Sequence, residues 1–203
     1  MNYCSECGAE IILARPEDDN RLRHVCSACN IIYYQNPKIV AGCIPEHKGK
    51  ILLCKRAIEP RSGYWTLPAG YMELDETSME GALRETLEEA NARVEILGLY
   101  AVFNLPHVNQ VYMMYRSRLL DMDYSPGTES LDVALYSENE IPWNDLAFTT
   151  IRQTLRYFYA DREVGQFRLH TGDIIKQGEK YSFRAGPDEI YDDYSSSTII
   201  QRP

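Results

Sequence analysis

The sequence lacks any apolar run long enough to cross a membrane, and its N-terminus lacks the pattern of a secretory signal peptide, so we expect a cytoplasmic protein. It also lacks an excess of positive charge, because 21 Lys and Arg stand against 30 Asp and Glu and give a net charge of −9. This balance argues against a broad surface for nucleic acid or anionic membranes. A small phosphorylated molecule can still bind such a chain through a metal and a few basic side chains.

Cysteine is scarce, and four of the six cysteines form two C-x-x-C pairs. These are Cys4 with Cys7 and Cys26 with Cys29. Two such pairs predict a tetrahedral zinc site. Disulfides are the alternative, and they are less expected in a chain without a secretory signal. Residues 1–35 are therefore predicted to form a zinc ribbon whose folding energy comes from the metal.

Residues 70–92 carry the strongest catalytic signal and read GYMELDETSMEGALRETLEEANA. Thr77 and Glu80 have the spacing of a capping box, which predicts that a helix begins there. Asn91 is predicted to end it in the left-handed conformation. An apolar stripe along this helix is expected to face a core and comprises Met79, Ala82, Leu83, Thr86, Leu87 and Ala90.

Three glutamates are predicted on the opposite side of the same helix. At ~100° per residue, Glu85, Glu88 and Glu89 span an arc of roughly 100°. Like charges at these spacings cost about 0.2–0.5 kcal/mol per pair unless a cation lies among them. Carboxylate oxygens suit Mg²⁺ or Mn²⁺, which also bind substrate phosphates. The alternative interpretation is a solvated, Glu-rich helix face.

The whole segment resembles the Nudix box, a signature in which a glycine, a glutamate, Arg-Glu, Glu-Glu and a second glycine stand at fixed spacing. The first glycine and the charged positions are filled by Gly70, Glu76, Arg84, Glu85, Glu88 and Glu89. Three uncharged positions depart from the signature: Thr86 and Ala92 replace aliphatic residues, and Asn91 replaces a second glycine. The resemblance implies a metal-dependent hydrolase of nucleoside diphosphate derivatives. We interpret Gly70 as allowing a tight turn into the metal site, and Arg84 as pairing with Glu76.

The remaining elements fit the Nudix fold, an α/β/α sandwich with a mixed sheet. Strands are predicted at 38–46, 50–56, 65–68, 93–104, 109–121 and 132–136, and a second helix at 149–163. Cys43 and Cys54 lie in apolar strand patterns and are expected to be buried thiols. The Nudix domain is predicted over residues 36–170. Residues 171–203 lack clear periodicity and are interpreted as a C-terminal extension that is an arm or is partly disordered.

A four-cysteine zinc ribbon before a Nudix domain resembles the plant chloroplast FAD pyrophosphatase type. The resemblance includes the stretches YQNPK, LLCKR, WTLPAGY and PGTESLD. The bacterial NADH pyrophosphatases are more distant, because their SQPWPFP-like segment after the box has no counterpart here. The resemblance implies hydrolysis of FAD to FMN and AMP, with ADP-ribose or NADH as alternative substrates. We also expect a homodimer, with the ribbon bracing the Nudix domain or the dimer interface.

Further candidates lie outside the box. Glu129, in PGTESLD, is predicted to be a second carboxylate near the metals, with an ordinary loop glutamate as the alternative. Arg56 ends a predicted strand and either contacts phosphate or is a plain surface charge.

The ring systems of a dinucleotide need aromatic surfaces, and four candidates are Phe103, Tyr112, Trp65 and Tyr71. Core packing is the alternative role for each of them. A different class of function also remains open at this point. A Nudix scaffold can act as a non-catalytic nucleotide sensor, and a zinc ribbon can be a binding module, although the intact glutamates argue against the sensor.

Overall fold

The structure, a computed structural model, describes residues 1–178 and 180–186 of the 203-residue chain. The chain divides into two compact units, Met1–Pro37 and Lys38–Pro203. Within the described ranges, no helix combines the length and the apolar character that a membrane crossing requires. The polar stretch 191–197 of the predicted C-terminal extension lies outside the described residues.

The first unit is a small antiparallel sheet. Its strands are β1 (Ile11–Ala14), β2 (Arg23–Cys26) and β3 (Ile32–Tyr33), in the order β1-β2-β3. Its buried cluster comprises only Cys4, Ile11 and Cys26. Because so little apolar surface is buried, a metal held by cysteines would supply much of the stability of this unit.

The second unit is built on a nine-stranded mixed sheet. Its strands are β4 (Lys38–His47), β5 (Lys50–Arg56), β6 (Trp65–Thr66), β7 (Ala69–Tyr71), β8 (Val94–Leu105), β9 (Gln110–Leu119), β10 (Ser130–Tyr136), β11 (His170–Gln177) and β12 (Lys180–Ala185). The main order is β10-β5-β4-β9-β8-β11-β12, while β6 pairs with β5 and β7 with β4. The β4–β9 and β8–β11 pairs are parallel, whereas the other pairs in this sheet are antiparallel.

One helix covers each face of this sheet. The helices are α1 (Ser78–Ala90) and α2 (Thr149–Val164). Alternate residues of β5 join different cores: Ile51 and Leu53 pack in the cluster that contains α2, and Leu52 and Cys54 pack in the cluster that contains α1. The predicted α/β/α sandwich is therefore confirmed. Cys43 and Cys54 are buried as predicted, and burial raises the pKa of both thiols.

Helix α1 begins and ends where the sequence predicts. Thr77 accepts a hydrogen bond from the Glu80 backbone N–H, and the Glu80 carboxylate accepts one from the Thr77 N–H. Asn91 ends the helix with φ of 48°. The buried face differs from the prediction, because Met79 and Leu87 are about half exposed while Glu89 is buried. The helix is rotated on the sheet so that the side bearing Glu89 faces inward.

The sheet is longer than the sequence predicts. The predicted strands and second helix agree with β4, β5, β8, β9, β10 and α2 to within a few residues, and the prediction at 65–68 corresponds to the shorter β6. Strand β7 has no counterpart among the predicted strands. The structure differs after α2, where β11 and β12 form a hairpin that begins at the last residue of the predicted Nudix domain and continues into the predicted extension. Since β11 pairs with β8, contacts far along the chain stabilise a strand that local periodicity does not reveal.

Candidate active site

A cavity of about 1180 Å³ lies in the second unit, and the carboxylates of the Nudix-box segment open into it. Helix α1 contributes Glu85, Glu88 and Glu89, and the loop before β10 contributes Glu129. Strand β7 contributes Gly70 to the same wall. The topology thus brings together acidic side chains that are up to 44 residues apart along the chain.

Arg84 joins the helix to the loop that precedes it. Its Nε and Nη2 donate to the two carboxylate oxygens of Glu76 at 3.0 and 2.8 Å, so the predicted ion pair is present. Its Nη2 also donates to the Tyr71 carbonyl at 3.0 Å, and its Nη1 donates to Glu85 and Glu88 at 2.7 and 3.0 Å. The hydrogen bonds from Arg84 lower the pKa of Glu76 to about 2. Arg84 therefore fixes the positions of neighbouring carboxylates rather than facing solvent as a free charge. We call the cavity surface formed by Glu85, Glu88 and Glu89 the acidic wall.

Glu89 is the most buried carboxylate of the cavity and only 6% exposed. Burial raises its pKa to about 8, and the nearby charges of Glu85 and Glu129 act in the same direction. The Ala69 backbone N–H, which donates to its Oε2 at 3.1 Å, and the charge of Arg56 oppose that rise. Burial also raises the pKa of Glu85. A cation bound nearby would offset the cost of ionising both groups.

Gly70 lies against the carboxylate of Glu85, so a side chain at this position would have to displace that carboxylate. A Cβ at this position would lie 2.3 Å from the carboxylate carbon of Glu85. Gly70 is not among the described glycines with a positive φ, so its backbone conformation is open to other residues, and the tight turn into the metal site stays a prediction. The missing side chain lets β7 approach the Glu85 carboxylate directly.

The loop that carries Glu129 is packed against the end of α1. The Gly127 N–H donates to the Glu89 carbonyl at 3.0 Å, and a Cβ on Gly127 would lie 1.7 Å from the Glu88 carbonyl oxygen. The charge of Glu129 acts on both Glu85 and Glu89. The structure therefore brings Glu129 to the acidic wall, and its chemical role stays a prediction.

The predicted substrate-contact residues fall into two groups. Arg56, Tyr71 and Tyr112 line the cavity. The structure places Phe103 and Trp65 in the hydrophobic core instead, with 0% and 8% exposure. Both lie on strands whose alternation turns them toward α2, so core packing, the alternative role, accounts for them.

Sequence reasoning missed part of the wall. His107 follows β8, Phe148 precedes α2 and Tyr181 lies on β12, and all three line the cavity. The Arg56 guanidinium lies 5.2 Å from the ring centre of Phe148 and its Nε donates to the Pro60 carbonyl at 3.0 Å. Nothing in the local sequence marks these side chains, because distant segments meet only in the folded sheet.

Comparison with known families agrees with this arrangement. The Nudix N-terminal zinc-ribbon family matches residues 2–35, and the NUDIX domain family matches residues 36–161. The chain belongs to the Nudix family. The matched domain contains the acidic wall and ends inside α2, so the Nudix match does not extend to the β11–β12 hairpin.

Similar proteins carry related names. A crystal structure of a NUDIX hydrolase from Nitrosomonas europaea is 57% identical, with a TM-score of 0.85, and the match covers 87% of this chain and 100% of that one. An ADP-ribose pyrophosphatase from Methanocaldococcus jannaschii is 27% identical over 54% of this chain and 67% of its own length. An NAD-capped RNA hydrolase, NudC, from Yersinia pestis is 26% identical over 69% of this chain. The chain spans 52% of the length of that hydrolase.

The cysteines of the Nudix ribbon fit a zinc ion. The ligand atoms of Cys4, Cys7, Cys26 and Cys29 all lie within 4.8 Å of one another, and Sγ–Sγ distances include 3.4, 3.6 and 3.7 Å. Tetrahedral Zn–S bonds of about 2.3 Å place the sulfurs ~3.8 Å apart. These separations exceed the ~2.05 Å of a disulfide bond, so the structure favours the predicted zinc site over disulfides.

The carboxylates of the Nudix helix fit a different kind of ion. Among the residues that the structure describes, the four cysteines are the one group of three or more side chains placed closely enough to share an ion, so the carboxylate oxygens are less tightly clustered. Mg²⁺ usually keeps several waters and needs only one or two direct carboxylates, so a tighter cluster is not required. The all-oxygen ligand set and the buried Glu89 fit such a hydrated divalent cation.

Proposed function

We propose that this chain hydrolyses the pyrophosphate bond of a nucleoside diphosphate derivative with the help of Mg²⁺ or Mn²⁺. The observation that carries the proposal is that four of the six glutamates lining one cavity of about 1180 Å³ come from α1 and the loop before β10. These are the side chains of Glu85, Glu88, Glu89 and Glu129. These carboxylates repel a phosphorylated substrate unless cations lie between the carboxylates and the phosphates. This need for cations favours metal-assisted hydrolysis over simple binding.

Each group has a distinct proposed task. A divalent cation, when bound, supplies charge neutralisation of the phosphates and lowers the pKa of a water molecule. Glu85, Glu88 and Glu89 would hold it. Glu129 enters from a separate loop and would orient the attacking water or accept its proton. The guanidinium of Arg56, which lines the same cavity, would bind a phosphate oxygen of the substrate.

We propose FAD as the preferred substrate, with FMN and AMP as products. The support is the resemblance of the flanking stretches to the FAD pyrophosphatase type, together with planar side chains at two places on the cavity wall, Phe148 beside Arg56 and Tyr181 beside His107. ADP-ribose and NADH are the second candidates, because a similar protein is named ADP-ribose pyrophosphatase and another NAD-capped RNA hydrolase. All three compounds contain an adenosine linked through pyrophosphate.

A substrate panel tests this function. The full chain is incubated with FAD, ADP-ribose and NADH, each with Mg²⁺ and with Mn²⁺, and AMP release is measured by chromatography. We expect release from FAD at the highest kcat/KM. Faster release from ADP-ribose or NADH would contradict the substrate. Tight binding of one compound without release from any of them would instead favour the non-catalytic sensor.

We further propose that the chain forms a homodimer braced by its ribbon. Light scattering after gel filtration should give about twice the chain mass of 23.4 kDa. A monomer mass would contradict the dimer. Removal of residues 1–33 should weaken assembly or activity, and unchanged values of both would contradict the bracing role.

A further inference from the structure

The β11–β12 hairpin forms a wall of the cavity that the NUDIX match does not include. The match ends at residue 161, whereas β11 pairs in parallel with β8 from His170 to Asp173. Ile174 of β11 is buried, and Tyr181 of β12 is 48% exposed. Both line the cavity. This chain therefore completes its cavity with residues that follow the family domain.

The exposed tyrosine of this hairpin is paired with a second ring. The ring centres of Tyr181 and His107 lie 5.5 Å apart at an interplanar angle of 63°. Leu105 and Val108 line the cavity near His107 in the chain and add apolar surface. The Lys176 ammonium lies 5.8 Å from the centre of the Tyr181 ring. The Tyr181 side chain is nevertheless 48% exposed, so its ring keeps accessible surface on which a planar ligand can stack.

We propose that Tyr181 and His107 form an aromatic platform that binds a planar ring system of the substrate. This inference rests on the proposed function, since it assigns a ring-binding subsite to the same cavity. The ring is the adenine or the flavin of a dinucleotide. A platform of this kind contributes to substrate affinity, whereas the carboxylates of the cavity would hold the cation that acts on the pyrophosphate.

The test compares Tyr181→Ala with Tyr181→Phe. The KM for FAD should rise about tenfold in the alanine variant with kcat within about twofold of wild type, because stacking of a base on an aromatic ring contributes about that much to affinity. The phenylalanine variant should behave as wild type. Tyr34→Ala, which removes an exposed tyrosine of the ribbon, is the matched control and should change neither value.

A comparison with ADP-ribose shows which ring of FAD binds to the platform, because ADP-ribose contains adenine but no flavin. A KM that rises for both FAD and ADP-ribose assigns adenine to the platform, and a rise for FAD alone assigns the flavin. Unchanged KM values for both substrates in Tyr181→Ala would overturn the proposal. Quenching of FAD fluorescence in Mg²⁺-free buffer measures binding without turnover. Tyr181-dependent binding of FAD in a chain that hydrolyses nothing would retain the platform and reject the proposed hydrolysis.

A second inference starts from Asn91, which replaces the second glycine of the Nudix box. Its backbone N–H caps the helix by donating to the Leu87 carbonyl at 2.8 Å, as a glycine would. Its side chain has a task that glycine cannot perform. The Nδ2 atom lies 3.2 Å from the carbonyl oxygens of Ser125 and Pro126 and 3.2 Å from the Ser125 hydroxyl.

This amide therefore ties the C-terminal end of α1 to the loop that carries Glu129. Two backbone hydrogen bonds support the same junction, from the Ser125 N–H to the Ala90 carbonyl at 2.9 Å and from the Gly127 N–H to the Glu89 carbonyl at 3.0 Å. We infer that Asn91 is a positioning residue that holds Glu129 at the acidic wall. The inference rests on the proposed function through Glu129.

A double-mutant cycle of Asn91→Gly and Glu129→Gln tests this role. Asn91→Gly keeps the left-handed cap and should lower kcat about tenfold, the effect of losing one to two hydrogen bonds, with KM within about twofold. In the Glu129→Gln background the same change should have no further effect. Asn30→Gly is the matched control, because Asn30 also has a positive φ, of 60°, and lies in the ribbon unit.

Wild-type kcat in Asn91→Gly, or an undiminished loss in the Glu129→Gln background, would overturn the inference. Hydrogen exchange gives a readout that does not need turnover. The Gly127 amide should exchange faster in Asn91→Gly than in wild type, and equal rates would also overturn it. If the Gly127 amide exchanges faster in Asn91→Gly but the wild-type chain hydrolyses no substrate, the link between Asn91 and the loop stands and the proposed hydrolysis is rejected.

Discussion

Glu89 allows a direct physical test of the acidic wall, because ionisation of its buried carboxyl group is unfavourable in the folded chain. Its pKa rises to about 8 in the folded chain from an ordinary value of 4.5, with burial as the largest cause. Between these two pH values the unfolded chain binds fewer protons than the folded chain. The free energy of unfolding therefore falls as pH rises, by ~1.4 kcal/mol per pH unit.

The size of the effect follows directly. Near pH 7 the raised pKa of Glu89 costs the metal-free chain on the order of 3 kcal/mol of stability, and the cost is absent below about pH 4.5. Glu89→Gln replaces the protonated carboxyl with a neutral side chain of the same shape, which can still accept the Ala69 N–H. The groups that face Glu89, namely Glu85, Glu129 and Arg56, are unchanged. The variant should be more stable than wild type by that amount and catalytically impaired.

Urea unfolding in Mg²⁺-free buffer between about pH 5 and about pH 8 measures this difference. The gap between Glu89→Gln and wild type should widen as pH rises. Glu88→Gln is the control on the same helix, because the Glu88 side chain is 57% exposed. It should lose turnover in excess Mg²⁺ without a comparable gain in stability. A pH-independent gap, or equal stability of wild type and Glu89→Gln, would refute the reasoning, and near wild-type turnover in both variants would refute the metal assignment.

Three further predictions concern other parts of the molecule. Gly127→Ala should destabilise the Nudix unit by about 1–3 kcal/mol in urea unfolding, since its Cβ would lie 1.7 Å from the Glu88 carbonyl oxygen; wild-type stability would show that the loop can move away. Cys26→Ser should abolish bound zinc in elemental analysis, and retained zinc would contradict the four-cysteine site. The Glu76 carboxylate has a lowered pKa, so the stability that wild type gains over Glu76→Gln should be complete above about pH 4.5 and disappear as pH falls toward 2; a constant difference would contradict the pairing with Arg84.

Local signals in the sequence predict the elements well but not their burial. The capping box at Thr77 and the left-handed Asn91 both lie within one turn of the helix end that they define, so the sequence is sufficient for them. The rotation of α1, with Glu89 inward and Leu87 outward, depends on the sheet beneath it. Periodicity alone cannot distinguish a carboxylate that faces an internal cavity from one that faces water.

The site also has one part that local sequence signals predict and another that depends on tertiary contacts. The spacing of the box identifies which carboxylates come together, since they share one helix. The other half of the cavity comes from residues that are separated by long stretches of chain, such as His107 and Tyr181. Their contact depends on the parallel pairing of β11 with β8, which has no local sequence signal. Aromatic composition does not reveal which face of a strand is buried, so the sequence alone leaves Phe103 and Trp65 open between ring contact and core packing.

The arrangement of Arg84 has a consequence for selectivity among cations. One edge of its guanidinium is anchored on Glu76, while Nη1 reaches across to Glu85 and Glu88 as an internal counter-ion. An incoming ion must compete with a charge that is already covalently part of the chain. A monovalent ion offers no more charge than Nη1 already supplies, so exchange favours ions of higher charge density. We therefore expect the side chain that shapes the wall to disfavour sodium and potassium relative to divalent cations as well.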